Sequence, residues 1–226
     1  MTGRPLGERT WRDVAGTAPL LLLVPIGSCE QHGPHLPLDT DTRIATAAAE
    51  GAAARLAGVI VAPAVTVGAS GEHAGFAGTL SIGVEALVTV IVELARSADW
   101  AAGLVLVNGH GGNAAALSTA GDRLQGEGRR VLCWSAAVPG GDVHAGRTET
   151  SLLLALAPRL VDLGAAAPGP TDPLVALLPR LRTEGVAAVS ANGVLGDPAG
   201  ASPEEGRAIL AGLVDRLVAA IEGWRR

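Results

Sequence analysis

Ala102-Gly103-Leu104-Val105-Leu106-Val107, followed at once by Asn108-Gly109-His110-Gly111-Gly112-Asn113, is the stretch that decides the fold. Six apolar residues without a polar break read as a strand buried on both faces, the pattern of a parallel sheet covered by helices. The glycine-rich segment reads as a loop, and residues 113–125 as the helix that follows it. The same order recurs upstream. Residues 20–26 form an apolar strand, residues 30–41 a loop stiffened by Gly33, Pro34 and Pro37, and an Ala-rich helix then runs to about Leu56. Asp41 lies where that helix opens, so a simple N-cap is one role open to it. Residues 59–63 read as a second strand and 130–136 as a fourth. Residues 82–96 and 148–157 read as helices, the first with Leu87, Val90, Ile91 and Leu94 at helical spacing, the second stopped by Pro158. Strands alternating with helices make an α/β fold with a mostly parallel sheet.

The ends of the chain are less regular. Residues 1–17 are polar and Gly-rich, with Trp11 as a candidate anchor for a short helix. Residues 164–200 hold most of the later Gly and Pro and predict irregular structure with short helices and an edge strand. The last helix is well marked: Ser202 as N-cap, Pro203 as first residue, Glu205 completing a capping box, and an amphipathic run to Trp224. With no repeat period and no long linker, one domain over residues 1–226 is expected.

Composition narrows the function. Only Phe76 and four tryptophans are aromatic and Tyr is absent, so the core is built from Ala, Val and Leu. A formal charge of −5 without a basic cluster argues against a nucleic-acid partner. The apolar run at 18–26 is too short to span a bilayer and lacks a cleavage site, which argues against a membrane partner or a signal peptide. Cys29 and Cys133 fit no zinc-knuckle spacing and predict a reducing compartment, the cytoplasm. Cys29 adjoins Glu30, yet a small packed hydrophobe is its simpler role than a nucleophile.

All five histidines fall in loops after strands, where α/β proteins build their sites. Glu30 and His32 are two apart and leave one face of an extended segment, and the Gly-Pro turn after them can swing Asp41 back toward the pair. His35 lies in the same loop. His73 sits in Gly71-Glu72-His73-Ala74-Gly75-Phe76, and His144 in His144-Ala145-Gly146-Arg147-Thr148-Glu149-Thr150-Ser151. Converging carboxylates and imidazoles suit a divalent metal; a polar loop that binds nothing is the alternative. The Asn108–Asn113 spacing matches neither the P-loop nor the dinucleotide fingerprint, and no Lys follows it. Neither Ser28 nor Ser70 has a nucleophile-elbow surround. Glu30, His32, Asp41, His110 and Glu149 suit two ions sharing a bridging carboxylate, whereas a lone three-ligand zinc would leave several of them unused. Nitrogen and oxygen ligands without thiolate suit Zn, Fe, Mn or Co, with Zn or Fe put first.

Pro25-Ile26-Gly27-Ser28, residues 30–41, Asn108–Asn113, residues 144–151 and Gly193-Val194-Leu195-Gly196-Asp197-Pro198 together resemble the creatininase family of metal-dependent amidohydrolases, in family order from about Trp11 to Gly206. The resemblance implies a three-layer α/β/α sandwich, a dinuclear metal site at the strand ends and a homo-oligomer. It implies Glu30 and His110 on one ion, His32 and Glu149 on the other, and Asp41 between them. A glutamate that binds metal in creatininase itself, two residues after the loop histidine, is replaced here by Gly112, with Glu149 as the expected substitute. Ala77 stands where many relatives have Pro. The implied chemistry is hydrolysis of a C–N amide bond by a metal-bridging hydroxide, with His144 giving the leaving amine its proton. His73 and Trp134 are candidate substrate contacts, and His35 either orients Asp41 or His32 or is purely structural. Within the family the short Ala-rich chain and its Ser190-Ala191-Asn192-Gly193-Val194 segment look most like peptidases that release a modified C-terminal Val-Tyr dipeptide from a ribosomally made precursor peptide. A creatinine-type or formamide hydrolase is the alternative, and a metal-stabilised scaffold without activity a second one.

Overall fold

A computed structural model describes residues 4–226; of the polar segment at 1–17, residues 1–3 lie outside the described residues. The order of elements is α1 (Trp11–Ala15), β1 (Leu21–Ile26), α2 (Thr40–Arg55), β2 (Val59–Val61), α3 (Gly83–Ser97), β3 (Gly103–Asn108), α4 (Ala114–Gly126), β4 (Val131–Ser135), α5 (Arg147–Leu156), α6 (Leu174–Glu184), α7 (Val186–Val189) and α8 (Pro203–Arg225). Four strands pair in the order β2-β1-β3-β4, all parallel. Every residue of β1 and β3 is buried, which is why both read as unbroken apolar runs. In the edge strand β4 only Val131 is buried, with Leu132 and Trp134 half-buried and Cys133 and Ser135 exposed, and its sequence is correspondingly mixed.

Side-chain alternation divides the core into two layers on either side of the sheet. Leu22, Val24, Ile26, Leu104 and Leu106 pack under α3 and α4, around Leu87, Ile91, Leu117 and Leu124. Leu21, Leu23, Val105 and Val107 face α2 and α8. Small residues make the second layer tight: Ala48, Ala49 and Ala52 on α2 are fully buried against Leu217 and Ile221 of α8. Helices thus cover both faces, giving three layers. Strand order reverses between β1 and β3, so the loops leaving these two strands open side by side at the carboxyl edge of the sheet.

Several local expectations change. Helix α2 is capped at Asp39, so Asp41 sits inside its first turn and is not the cap. Among the described residues, 164–200 contributes no strand to the sheet; two helices form there, and Leu195 makes an isolated bridge to His144. Trp11 is 75% exposed and anchors nothing; α1 is held by a Thr10–Asp13 capping box instead. In α8 only half the predicted box forms. Ser202 Oγ accepts from the Glu205 amide, but the Glu205 carboxylate turns away to Arg147 and to Ser151 Oγ, and Ser151 Oγ accepts the Ser202 N–H. That exchange ties α5, which carries Glu149, to the start of α8.

Candidate metal centre

Glu30 is the focus of the site. It follows β1, is fully buried, and neither carboxylate oxygen has a hydrogen-bond partner among the described residues. Three imidazoles face it: His110 Nε2 at 3.1 Å, His73 Nε2 at 3.3 Å and His144 Nδ1 at 3.9 Å. Buried carboxylate oxygens left without a hydrogen bond cost on the order of 1–3 kcal/mol each in a protein interior unless something bonds them. A divalent cation is the group this donor set fits.

Asp41 is the second focus. The first turn of α2 holds it 2% exposed, with Oδ1 3.1 Å from His32 Nε2 and Oδ2 3.3 Å from His110 Nδ1. Ser28 Oγ donates to Oδ2 at 2.7 Å and fixes the carboxylate plane. Burial works to raise the Asp41 pKa, but His32 and His110 outweigh it and hold the group well below the usual carboxylate range. His32 Nδ1–H donates to the Glu30 carbonyl at 3.1 Å, which turns Nε2 toward Asp41. Gly109 lets β3 deliver His110 here: a Cβ at Gly109 would collide with the Asp41 backbone.

Glu149 comes from the third loop. Ala145 takes a left-handed conformation (φ 53°), turning the chain so that His144 and the first turn of α5 face the same point. Glu149 Oε2 accepts the Ala145 N–H at 2.6 Å and lies 3.9 Å from His32 Nε2. Burial raises its pKa to about 7 while His32 pulls against it. Two sets of three could therefore hold an ion, Glu30-Asp41-His110 and His32-His144-Glu149, and a third combines Glu30, His73 and His144. All five residues singled out as metal candidates, and His144, meet at this one place.

Gln31, Ser28 and Glu72 are residues that sequence reasoning passed over. Gln31 Nε2 donates to His73 Nδ1 at 2.9 Å and to the Gly193 carbonyl at 3.0 Å, which directs His73 Nε2 to Glu30. Position alone, between Glu30 and His32, was the only signal for it. Glu72 Oε1 lies 3.4 Å from His110 Nε2. His35 touches neither Asp41 nor His32; its Nε2 bonds Thr150 Oγ1 at 2.9 Å, bracing α5.

A cavity of about 670 Å³ opens over His110 and Glu149, walled by Ala136, Val138, Asp142 and Leu174 among others. Among the described residues no Phe, Trp, Lys or Arg lines it, and neither His73 nor Trp134 is part of its wall. His73 is buried against Glu30, and Trp134 packs between the two hydrophobic clusters beside α8 and α5. No described helix is long and apolar enough to cross a membrane.

The chain is 51% identical, over 97% of its length and 91% of the relative's, to the mycofactocin precursor peptide peptidase of Mycobacterium tuberculosis (strain CDC 1551 / Oshkosh). A solved structure described as "Creatininase Mn" superposes with a TM-score of 0.79 at 31% identity, covering 96% of this chain and 97% of that one. A creatininase mutant described as Zn-Zn type gives a TM-score of 0.80 at 27% identity, covering 98% of each chain. Residues 7–221 match the family model described as "Creatininase: Creatinine amidohydrolase", and with that match the chain belongs to the creatininase family.

Proposed function

We propose that this chain is a metal-dependent peptidase that hydrolyses an amide bond near the C-terminus of the modified mycofactocin precursor peptide, releasing the modified Val-Tyr dipeptide. Glu30 carries the metal half of this reading, as a buried carboxylate with no hydrogen bond, ringed by imidazoles. The 51% identity to a mycofactocin precursor peptide peptidase supports the substrate half. Glu30 and His110 would hold one divalent ion, His32 and Glu149 the other, with Asp41 shared; Zn or Fe is proposed, with Mn third. Ions bound there would acidify a water and polarise the scissile carbonyl. We take residues 1–226 as one creatininase-like domain, working in the cytoplasm as a homo-oligomer.

The protein's own groups supply the rest. Gln31 and His73 hold Glu30 in place through the hydrogen bond at 2.9 Å and the 3.3 Å contact. His144 moves the proton. Its Nε2 donates to the Gln31 carbonyl at 2.8 Å, so Nδ1 keeps a free lone pair on the site side. Burial, then His32 and His73, hold its pKa well below the usual imidazole range. The neutral ring first accepts a proton from the attacking water and then gives it to the amine nitrogen as the C–N bond breaks.

The test is to incubate metal-loaded protein with the modified precursor peptide, with and without chelator, and weigh the products. Loss of a C-terminal dipeptide that chelator prevents is expected. An intact peptide would sink the peptidase reading and turn attention to creatinine and formamides. In the same assay His144→Gln should slow turnover by about 10²–10⁴-fold at unchanged metal content. A fall in metal content would instead make His144 a ligand.

A further inference from the structure

We propose that Glu72 supplies the carboxylate that position 112 lacks and holds the ion on the His110 side of the centre. This rests on the dinuclear reading above and goes beyond it, because it adds a residue from a fourth loop.

The observation is steric as well as chemical. A Cβ built on Gly112 would run into Glu72 Oε1, into His110 Nε2, and to within 2.6 Å of the Ala69 carbonyl oxygen. The space where a side chain at 112 would begin is thus already filled, and what fills it is a carboxylate. Glu72 reaches it from the short helical turn Gly71–His73, whose next residue, His73, packs on Glu30. Glu72 Oε1 stands 3.4 Å from His110 Nε2, and Glu30 Oε2 stands 3.1 Å from the same nitrogen. Two carboxylates therefore converge on one side of His110, while Asp41 takes the other at 3.3 Å from Nδ1.

Glu149 does not fill this role. It belongs to the His32 side, with one carboxylate oxygen engaged by the Ala145 amide. Nor is Glu72 occupied elsewhere. The hydrogen bond from His110 Nε2 runs to the Ala69 carbonyl at 3.2 Å, and among the described residues no arginine pairs with Glu72. Its side chain is 30% exposed, so one flank faces the protein and the other stays open. Glu72, Glu30 and Asp41 thus set three carboxylates around one imidazole, a donor set suited to a divalent cation.

The glycine and the glutamate then form one device. Gly112 provides the room, and Glu72 supplies the charge that a residue at 112 would otherwise have carried. Glu72→Gln keeps the shape and removes the charge. Gly112→Ala would drive a methyl into the carboxylate, the His110 ring and the Ala69 carbonyl at once.

Calorimetric titration of the metal-free protein with Zn²⁺ tests this, with metal content measured after dialysis and folding followed by circular dichroism. Wild type should bind two ions per chain. Glu72→Gln should keep one at wild-type affinity and bind the other about 10–100-fold more weakly. Glu72→Asp should fall between the two. Unchanged affinity for both ions in Glu72→Gln, or equal weakening of both, overturns the proposal. A wild-type protein that binds fewer than two ions overturns the dinuclear reading itself, which separates the two failures.

Discussion

Asp41→Asn is expected to empty both metal positions and to lower hydrolysis of the precursor peptide by at least about 10³-fold. Each proposed ion draws on this one carboxylate: Oδ1 faces His32 at 3.1 Å and Oδ2 faces His110 at 3.3 Å. Asparagine keeps the shape and one acceptor but removes the charge, and its NH₂ must point at one of the two imidazoles. The cost also falls on the metal-free protein. There Asp41 offsets two protonated rings at a site only 2% exposed, so removing it should lower stability by about 3–5 kcal/mol, as when one partner of a buried ion pair is deleted. Asp39→Asn is the control two residues away. It removes an ion pair to Arg43 of 2.8 Å whose partners are both more than a third exposed, and should cost no more than about 1 kcal/mol with metal content unchanged. Elemental analysis and urea denaturation of the two variants read both effects. Full metal content in Asp41→Asn would remove this residue from the centre.

The contrast between Asp41 and Asp39 shows where pattern reading stops. Sequence spacing placed an acidic residue at the opening of α2 but did not distinguish cap from ligand, because both roles put Asp within one turn of the helix start. The chain resolves it by spending Asp39 on the cap position, which frees Asp41 to point inward. Strands β1 and β3 were legible because burial on both faces leaves only apolar residues, and α8 because Ser202 and Pro203 mark its start. In residues 164–200 the short helices were legible and the expected edge strand was not found, since a short apolar run such as that opening α6 suits a strand equally well. The candidate partners were legible as a set, because Glu30, His32, His110 and His144 lie in loops after strands and Asp41 and Glu149 in the first turns of the helices that follow. Glu72 was not: nothing in Gly71-Glu72-His73 says which side chain faces inward, and the vacancy that admits it is created by a glycine in another loop. Glu205 escaped for a similar reason. Its carboxylate was free to close a local box, and Arg147 and Ser151, distant in sequence, outbid that bond.

Loading the metal-free protein at pH 7 should expel about two to three protons per chain. Burial opposes a charge on His32, but Asp41 and then Glu149 overcome it and push its pKa up to about 10. The His110 ring is likewise held well above the usual range, against burial, by Glu30 and Asp41. Both rings therefore carry a proton at neutral pH, and Glu149, raised to about 7, carries about half of one. A cation needs the lone pairs that these protons occupy, so it must displace them. The sign follows directly: these groups bind protons more tightly without the ions than with them, and acidification opposes loading. As the pH falls the overall two-ion constant should drop steeply, toward about 1,000-fold per unit once His32, His110 and Glu149 all carry a proton to be displaced. Titration calorimetry in buffers of different ionisation enthalpy counts the protons independently of any activity. Release of fewer than one would mean that His32 and His110 are already neutral in the metal-free protein, and that Asp41 and Glu30 do not hold them as the 3.1 Å contacts on each imply. The same proton cost explains how so polar a cluster can stay buried without its ions: Asp41 between His32 and His110 is an internal salt until the cations replace the protons.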